Sequence, residues 1–348
     1  MSQFSTRLRS FQIHRARSRA EKLVANKQSR EAIDFLQRKN SNLQSTKIEN
    51  QLVQLRHDAF FSIDHGTPRG VWPPVVTDLF PNSQVIPEVD AKELDVAKAQ
   101  SAVFNRGSLI IRNLLSENQY KLLAQSVEKA FEAFDHPDQL VEPQSWFTCL
   151  KTQQGDDGIE FDRPWVRSGG GVLAAESPRA LYNLVNIFHE IGMIDLIADY
   201  FGERPALSVK KTTLRRTEPD IDAANGWHQD GAFLGKDIRS LNVWVALTDC
   251  GIDSPSMDMI PRRLHEIVPT GTEGAMFNWS VSPLMFDQVC ESGKPQHLIF
   301  KAGDAIIFDE MNLHKTSTSP EMSAKRYAVE CWFFAPSCYP LDQLPILL

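Results

Sequence analysis

The second half of the chain is a series of short β-rich segments separated by turns, and this pattern limits the possible folds most strongly. Eight such segments follow Gly202 at roughly regular spacing, which is typical of a β-sandwich or barrel. Helical patterns come before this series, so the helices would pack on the outside of a β core. We therefore predict an α+β fold with segregated layers and no doubly wound sheet. The predicted strands are residues 206–216, 227–230, 241–247, 257–260, 297–300, 305–308, 314–317 and 326–334.

The charge is divided unevenly along the chain. Residues 1–60 carry twelve Lys or Arg and five Asp or Glu, whereas the remaining residues have a net charge of −14. Apolar residues recur near helical spacing in this basic segment, so we predict two or three amphipathic helices there. An Arg-rich, acid-poor beginning is also typical of an organelle transit peptide, and a surface-binding arm would have the same composition. The predicted organisation is a basic helical extension over 1–60, a linker over 61–99 and a main domain over 100–340.

The whole composition excludes several classes of protein. The overall net charge of −7 argues against a dedicated nucleic-acid-binding protein. Five widely spaced cysteines without a CxxC pair indicate a reducing compartment. No apolar run approaches the length that a transmembrane helix needs. We therefore expect a cytoplasmic protein without a nucleic-acid or membrane partner.

A histidine and a carboxylate lie two residues apart at His228 and Asp230, in a predicted strand. Side chains at i and i+2 of a strand project from the same face, so both can reach one metal ion. His314 follows a turn and an apolar strand and would supply the third ligand. Two histidines and one carboxylate form the facial triad of non-haem Fe(II) oxygenases, which leaves open coordination positions. A second match, His136 with Asp138, contains a proline and has no strand around it, so we assign it to a loop.

Arg326 lies twelve residues beyond His314, at the start of the last predicted strand. A 2-oxoglutarate cosubstrate chelates iron through its 1-carboxylate and 2-oxo group and leaves its far carboxylate inside the barrel. Burial of that carboxylate without a partner is costly, and arginine offers a planar, two-point partner. Strand alternation would put Arg326 and Glu330 on the same inner face. Glu330 would there pair with Lys210 or Lys211, or bind a cationic group of the substrate.

Three stretches together resemble the phytanoyl-CoA dioxygenase family. They are His-Gln-Asp-Gly at 228–231, Asn-Val-Trp-Val-Ala-Leu-Thr-Asp at 242–249, and Gly-Asp at 303–304 leading to His314 and Arg326. The resemblance extends over roughly residues 100–335. It implies a double-stranded β-helix, the cupin-like jelly roll, with flanking helices.

The resemblance also implies the roles of individual residues and the reaction. The residues that would hold Fe(II) and act in catalysis are His228, Asp230 and His314. The residues that would contact 2-oxoglutarate are Arg326, Thr316 and Trp244. The expected reaction consumes 2-oxoglutarate and O2, releases succinate and CO2, and hydroxylates or desaturates a small organic substrate. Related halogenases lack the metal-binding carboxylate, so Asp230 favours hydroxylation or desaturation.

Two other classes of protein would have the same three ligands. One is a non-catalytic jelly-roll protein that binds metal or has a structural role, and the other is a zinc hydrolase. Arg326 argues against the hydrolase, which has no need of a buried arginine at this position.

The chain departs from the family pattern at Arg262 and Arg263, where small residues are common. We expect these arginines to place basic charge near the rim of the site. The loops that would select the substrate are 61–90, 136–175 and 270–295, and none of them contains a motif that identifies it.

Overall fold

Two β-sheets form the core of the protein in the computed structural model, which describes residues 3–152, 157–219, 226–235, 237–291 and 293–348. The strands are β1 (Glu88–Asp90), β2 (Ser108–Arg112), β3 (Gly171–Leu173), β4 (Ala206–Ser208), β5 (Thr213–Thr217), β6 (Ser240–Ala246), β7 (Ser256–Met259), β8 (Gln296–His297), β9 (Ala305–Phe308), β10 (His314–Ser317), β11 (Arg326–Phe334) and β12 (Pro345–Leu347). The larger sheet has the order β1-β2-β9-β6-β11-β4-β12, and β5 joins it through β11 and also pairs with β3. The smaller sheet has the order β10-β7-β8. This arrangement is the double-stranded β-helix, so the predicted fold class is confirmed.

Most predicted strands are present, and three predictions need correction. The segment 297–300 overlaps β8 only at His297, and Phe300 makes an isolated bridge to Cys250. The segments 305–308, 314–317 and 326–334 are β9, β10 and β11. The segment 206–216 is two strands, β4 and β5, with a turn between them. The segment 227–230 is not a ladder strand, because only His228 makes an isolated bridge, to His314. A short helix begins directly after Asp230.

The helices of the described residues flank the two sheets. They are α1 (Gln3–Ala25), α2 (Ser29–Leu43), α3 (Thr46–Ser62), α4 (Val96–Arg106), α5 (Glu117–Asp135), α6 (Pro143–Trp146), α7 (Asp157–Ser168), α8 (Pro178–Glu190), α9 (Met193–Phe201), α10 (Gly231–Leu234) and α11 (Pro283–Cys290). The periodicity over 177–200 predicts one helix, but Gly192 divides it into α8 and α9. Gly192 has a φ of 73°, in the left-handed region that interrupts a helix and that glycine adopts easily.

Alternation along the central strands separates the two faces of the larger sheet. Val243 and Val245 of β6 pack in the cluster formed with the outer helices α4, α5, α8 and α9. Trp244 of β6 and Trp332 of β11 lie in the other cluster, on the inner face. In β11, Glu330 lies two residues from Trp332 and therefore shares the inner face, as the sequence predicts.

The basic N-terminal segment forms three helices, and the last of them contacts the C-terminal strand. Arg56 of α3 donates from Nη1 to the carbonyl oxygen of Leu347 (2.8 Å), and His57 Nδ1 lies 2.8 Å from the carbonyl oxygen of Pro345. The predicted linker contributes β1, which pairs with β2. The proposed division into an extension, a linker and a main domain stays a prediction.

None of the helices in the described ranges has the length and apolar composition that a bilayer crossing requires. The cytoplasmic location therefore stays a prediction that depends on the cysteine content. Residues 153–156 and 292, which belong to two of the predicted substrate-selecting loops, lie outside the described residues.

Candidate active site

A cavity of about 460 Å³ lies between the two sheets, and all six site residues predicted from the sequence line it. Strands β6, β10 and β11 contribute its inner wall. Its outer part is lined by side chains that include Trp165 of α7, Phe233 of α10 and Trp279. Trp165 is 61% exposed and meets Trp279 edge-on at a ring distance of 6.3 Å, so these indoles stand at the mouth of the cavity.

The two histidines of the triad come together through a backbone bridge. The amide of His228 donates to the carbonyl oxygen of His314 (2.9 Å), and the reverse bond is 3.0 Å. Asp230 then lies at the beginning of α10, and its Oδ2 is 3.5 Å from His314 Nε2. One potential ligand atom from each of the three residues lies within 4.8 Å of the others. The convergence is as predicted, but a turn into α10 achieves it rather than a continuous strand.

Hydrogen bonds orient both imidazole rings. His228 Nδ1 is 2.9 Å from the carbonyl oxygen of Gly226, and His314 Nδ1 is 3.1 Å from that of Asn312. Because a carbonyl can only accept, each Nδ1 carries the proton and each Nε2 retains its lone pair. Ligating histidines are usually held in this way by such outer partners. The donor set of two imidazoles and one carboxylate therefore fits Fe(II).

The electrostatic environment keeps His228 and Asp230 in the protonation states that a metal needs. Removal from water, and then the neighbouring His314, lower the pKa of His228 to about 4. Burial alone would raise the pKa of the Asp230 carboxyl. Lys211 and the two histidines oppose this and hold that pKa below its usual range. His228 is therefore neutral and Asp230 is ionised at neutral pH.

Arg326 is a buried cation without an anionic partner among the described residues. Its side chain is 4% exposed, donates from Nη1 to the carbonyl oxygen of Ser256 (3.0 Å) and from Nη2 to Thr217 Oγ1 (2.9 Å), and leaves Nε without a partner. Burial lowers the pKa of the Arg326 guanidinium to about 10. A buried, uncompensated charge is costly, so this side chain fits the far carboxylate of 2-oxoglutarate.

The two other predicted cosubstrate contacts lie near Arg326. The guanidinium carbon of Arg326 is 5.4 Å from the ring centre of Trp244, close enough for a cation–π interaction. Thr316 lies on β10 two residues beyond His314 and lines the cavity.

Sequence reasoning missed Asn242, which is buried, lines the cavity and has an unpartnered Oδ1. Its position two residues before Trp244 on β6 is the signal that places it on the same face.

Three ion pairs line the cavity, and the sequence predicted none of these pairings. Glu330 pairs with neither Lys210 nor Lys211, because its Oε2 accepts from Arg215 Nη2 at 2.8 Å. Lys211 pairs with Asp230 (2.5 Å). Lys210 Nζ instead lies 3.0 Å from Asp162 Oδ2 on α7. These three cations are therefore matched by carboxylates.

The two unusual arginines lie outside the lining of the cavity. Arg263 has an 8% exposed side chain and forms an ion pair from Nε to Asp309 Oδ2 (2.6 Å). Arg262 Nη2 donates to the carbonyl oxygen of Val289 (2.8 Å). Asp309 therefore matches the charge of Arg263, whereas Arg262 bonds a neutral carbonyl, and neither side chain lines the cavity.

Comparisons with known proteins identify the family of the chain. A family model described as phytanoyl-CoA dioxygenase (PhyH) matches residues 104–323. No curated protein matches the chain. Among solved structures, AviO1 from Streptomyces viridochromogenes Tue57 is 16% identical with a TM-score of 0.45, and the match covers 71% of this chain and 98% of AviO1. SnoK, a non-haem α-ketoglutarate-dependent carbocyclase from nogalamycin biosynthesis, is 14% identical with a TM-score of 0.45 and coverages of 71% and 87%.

EvdO2 from Micromonospora carbonacea var. aurantiaca, solved with 2-oxoglutarate, is 15% identical with a TM-score of 0.44. That match covers 70% of this chain and 89% of EvdO2. The match to the family model extends over more than half of the chain and includes the three triad residues. The chain therefore belongs to the phytanoyl-CoA dioxygenase family of Fe(II)- and 2-oxoglutarate-dependent oxygenases.

Proposed function

We propose that this oxygenase hydroxylates or desaturates a small organic substrate and converts 2-oxoglutarate to succinate and CO2. The observation that carries the proposal is Arg326, a buried cation without a carboxylate partner in the described part of the chain, in the same cavity as the triad. A cavity of about 460 Å³ lies within the size range of small-molecule sites.

The proposed roles follow from the chemistry of each side chain. His228 and His314 would hold Fe(II) through Nε2, with Nδ1 of each fixed on a backbone carbonyl, and Asp230 would supply the anionic ligand. When bound, Fe(II) and 2-oxoglutarate activate O2 for oxidation of the substrate. Arg326 would bind and orient the far carboxylate of 2-oxoglutarate, with Trp244 stacked against the guanidinium.

The substrate would occupy the outer part of the cavity. Trp165, Phe233 and Trp279 line it and offer apolar surface that excludes water. Asp230 retains the carboxylate that halogenases lack, which supports hydroxylation or desaturation over halogenation. We infer a small-molecule substrate rather than a nucleic acid, because three of the four cations that line the cavity in the described part of the chain are paired with carboxylates, and the fourth, Arg326, is assigned to 2-oxoglutarate.

The first test is the binding of metal and cosubstrate without oxygen. Anaerobic addition of Fe(II) and 2-oxoglutarate should give a weak visible charge-transfer band, and Asp230→Ala and His314→Ala should abolish it. His136→Ala is a matched control, because His136 belongs to the second His-x-Asp match and is exposed outside the cavity. A band that survives in both triad variants would refute the metal assignment.

The second test separates an oxygenase from a binding protein. A library of small organic compounds is screened in air for compounds that increase succinate release from 2-oxoglutarate. The wild type should show such compounds, and Asp230→Ala should show none. The zinc hydrolase alternative predicts instead that Zn²⁺ supports turnover without 2-oxoglutarate, which would overturn the proposal.

A further inference from the structure

A lysine contacts the carboxylate of the triad directly. Lys211 Nζ is 2.5 Å from Asp230 Oδ1, whereas Asp230 Oδ2 is 3.5 Å from His314 Nε2. The two oxygens of Asp230 therefore have different partners. Oδ1 accepts from the ammonium group of Lys211, and Oδ2 faces the imidazole atoms that would bind the metal.

The position of Lys211 is fixed by the turn between β4 and β5. Its amide donates to Ser208 Oγ (3.0 Å), and Ser208 Oγ donates to the carbonyl oxygen of Gln343 next to β12 (3.2 Å). The ammonium lies 5.1 Å from the ring centre of Phe233, at cation–π distance. Among the described residues, Asp230 supplies the one carboxylate within ion-pair distance of Lys211. Lys211 therefore forms its ion pair with Asp230.

We propose that Lys211 is a positioning residue that makes Asp230 a one-oxygen ligand of the metal. This inference rests on the proposed ligand set of His228, Asp230 and His314. A carboxylate can bind a metal through one or both oxygens. The ammonium group of Lys211 donates to Oδ1 and so keeps that oxygen from binding the metal. Only Oδ2 then remains for the metal.

The number of metal-bound oxygens decides how many coordination positions stay open. Three protein donor atoms leave three positions on an octahedral metal. Chelation by 2-oxoglutarate uses two of them, and one remains. A two-oxygen Asp230 would occupy that last position, so the contact from Lys211 would preserve it.

Water bound to Mn(II) can be counted without any turnover, by the proton relaxation that the metal-loaded protein causes. Wild type should hold three inner-sphere waters, and Lys211→Met should hold two, so the inner-sphere relaxivity should fall to about two thirds. With saturating 2-oxoglutarate, wild type should keep one water and Lys211→Met none. Lys211→Arg retains a cationic donor and should restore the wild-type values.

Lys210→Met is the matched control, because Lys210 is the adjacent lysine and pairs with Asp162 instead of Asp230. It should leave both water counts unchanged. The role of Lys211 would be overturned if Lys211→Met kept the wild-type relaxivity or lost Mn(II) binding. It would also be overturned if Lys210→Met showed the same decrease in relaxivity. Undiminished Mn(II) binding by Asp230→Ala would refute the ligand set itself, which is a different result.

Discussion

Replacement of Arg326 by methionine should weaken 2-oxoglutarate binding without lowering the stability of the protein. Methionine keeps much of the volume of the side chain and removes its charge. In the wild type the guanidinium is buried and bonds only to neutral groups, the carbonyl of Ser256 and the hydroxyl of Thr217. Because the cation lacks a carboxylate partner in the described part of the chain, its role is best explained by an anionic ligand.

The size of the effect on 2-oxoglutarate binding follows from the charge that the variant would leave unpaired. Removal of one partner of a buried ion pair costs about 3–5 kcal/mol. At about 1.4 kcal/mol for each factor of ten, the Kd for 2-oxoglutarate should rise by roughly two to three and a half orders of magnitude. Arg326→Lys keeps the charge and loses the two-point contact, so its Kd should lie between the two.

Although Arg326→Met should weaken 2-oxoglutarate binding, it should not lower the free energy of unfolding. Without the cosubstrate, Arg326 is a desolvated charge whose burial lowers its pKa to about 10. An apolar side chain of similar volume removes this desolvation cost. The ligand-free Arg326→Met variant should therefore be at least as stable as the wild type.

Two measurements check these expectations. Anaerobic titration of the Fe(II)-loaded protein with 2-oxoglutarate gives the Kd from the charge-transfer band, and urea unfolding of the metal-free protein gives the stability. Lys325→Met is a matched control, since Lys325 is adjacent in sequence, half-exposed and paired with Glu218 at 3.0 Å. It should leave the Kd unchanged. A Kd within tenfold of wild type in Arg326→Met, or a marked loss of stability, would refute the assignment.

Two further predictions concern buried carboxylates. Burial and then Asp309 raise the pKa of Glu310 to about 8, so between about pH 4.5 and 8 the folded protein holds a proton that the unfolded chain has lost, and stability should fall as the pH rises. Glu310→Gln should flatten this fall, which urea unfolding at pH 6 and pH 8.5 measures, and an unchanged slope would contradict it. Glu330→Gln leaves Arg215 without its carboxylate and should lower the free energy of unfolding by about 1.5–3 kcal/mol. Unchanged stability with a raised substrate KM would instead assign Glu330 to substrate binding.

The parts of the fold and site that the sequence predicts are those that depend on local periodicity or on a fixed spacing. Strand alternation correctly places Arg326 and Glu330 on one face of β11, since a strand repeats every two residues. The spacing from His228 to Asp230 brings both near His314 even though the local structure is a turn and not a strand. A turn of this kind still directs two nearby side chains into one cavity.

The partners of charged residues could not be predicted, because they depend on the register between strands. The segment 206–216 contains a turn, and this turn decides which of its cations faces which carboxylate. In the register of β5 with β11, Thr213 lies opposite Glu330, so Arg215 becomes its diagonal neighbour. Lys211 is left in the turn and reaches Asp230. A shift of one residue in the register of β5 would turn Arg215 to the opposite face of the sheet, away from Glu330.

The charges of the cavity indicate why metal and cosubstrate should bind together. Among the described residues, the charged side chains that line the cavity are four cations (Lys210, Lys211, Arg215 and Arg326) and three carboxylates (Asp162, Asp230 and Glu330). When the histidines are neutral, the lining therefore has a net charge of +1. Fe(II) alone would raise this excess by two charges, and doubly charged 2-oxoglutarate alone would reverse it. Together the two leave it unchanged. Because His314, Asp230 and Arg326 are buried, charges interact more strongly in this site than in water, and each of the two therefore favours binding of the other. The Lys211–Asp230 contact adds to this coupling, because a cation next to the metal site disfavours the metal until the anionic cosubstrate arrives.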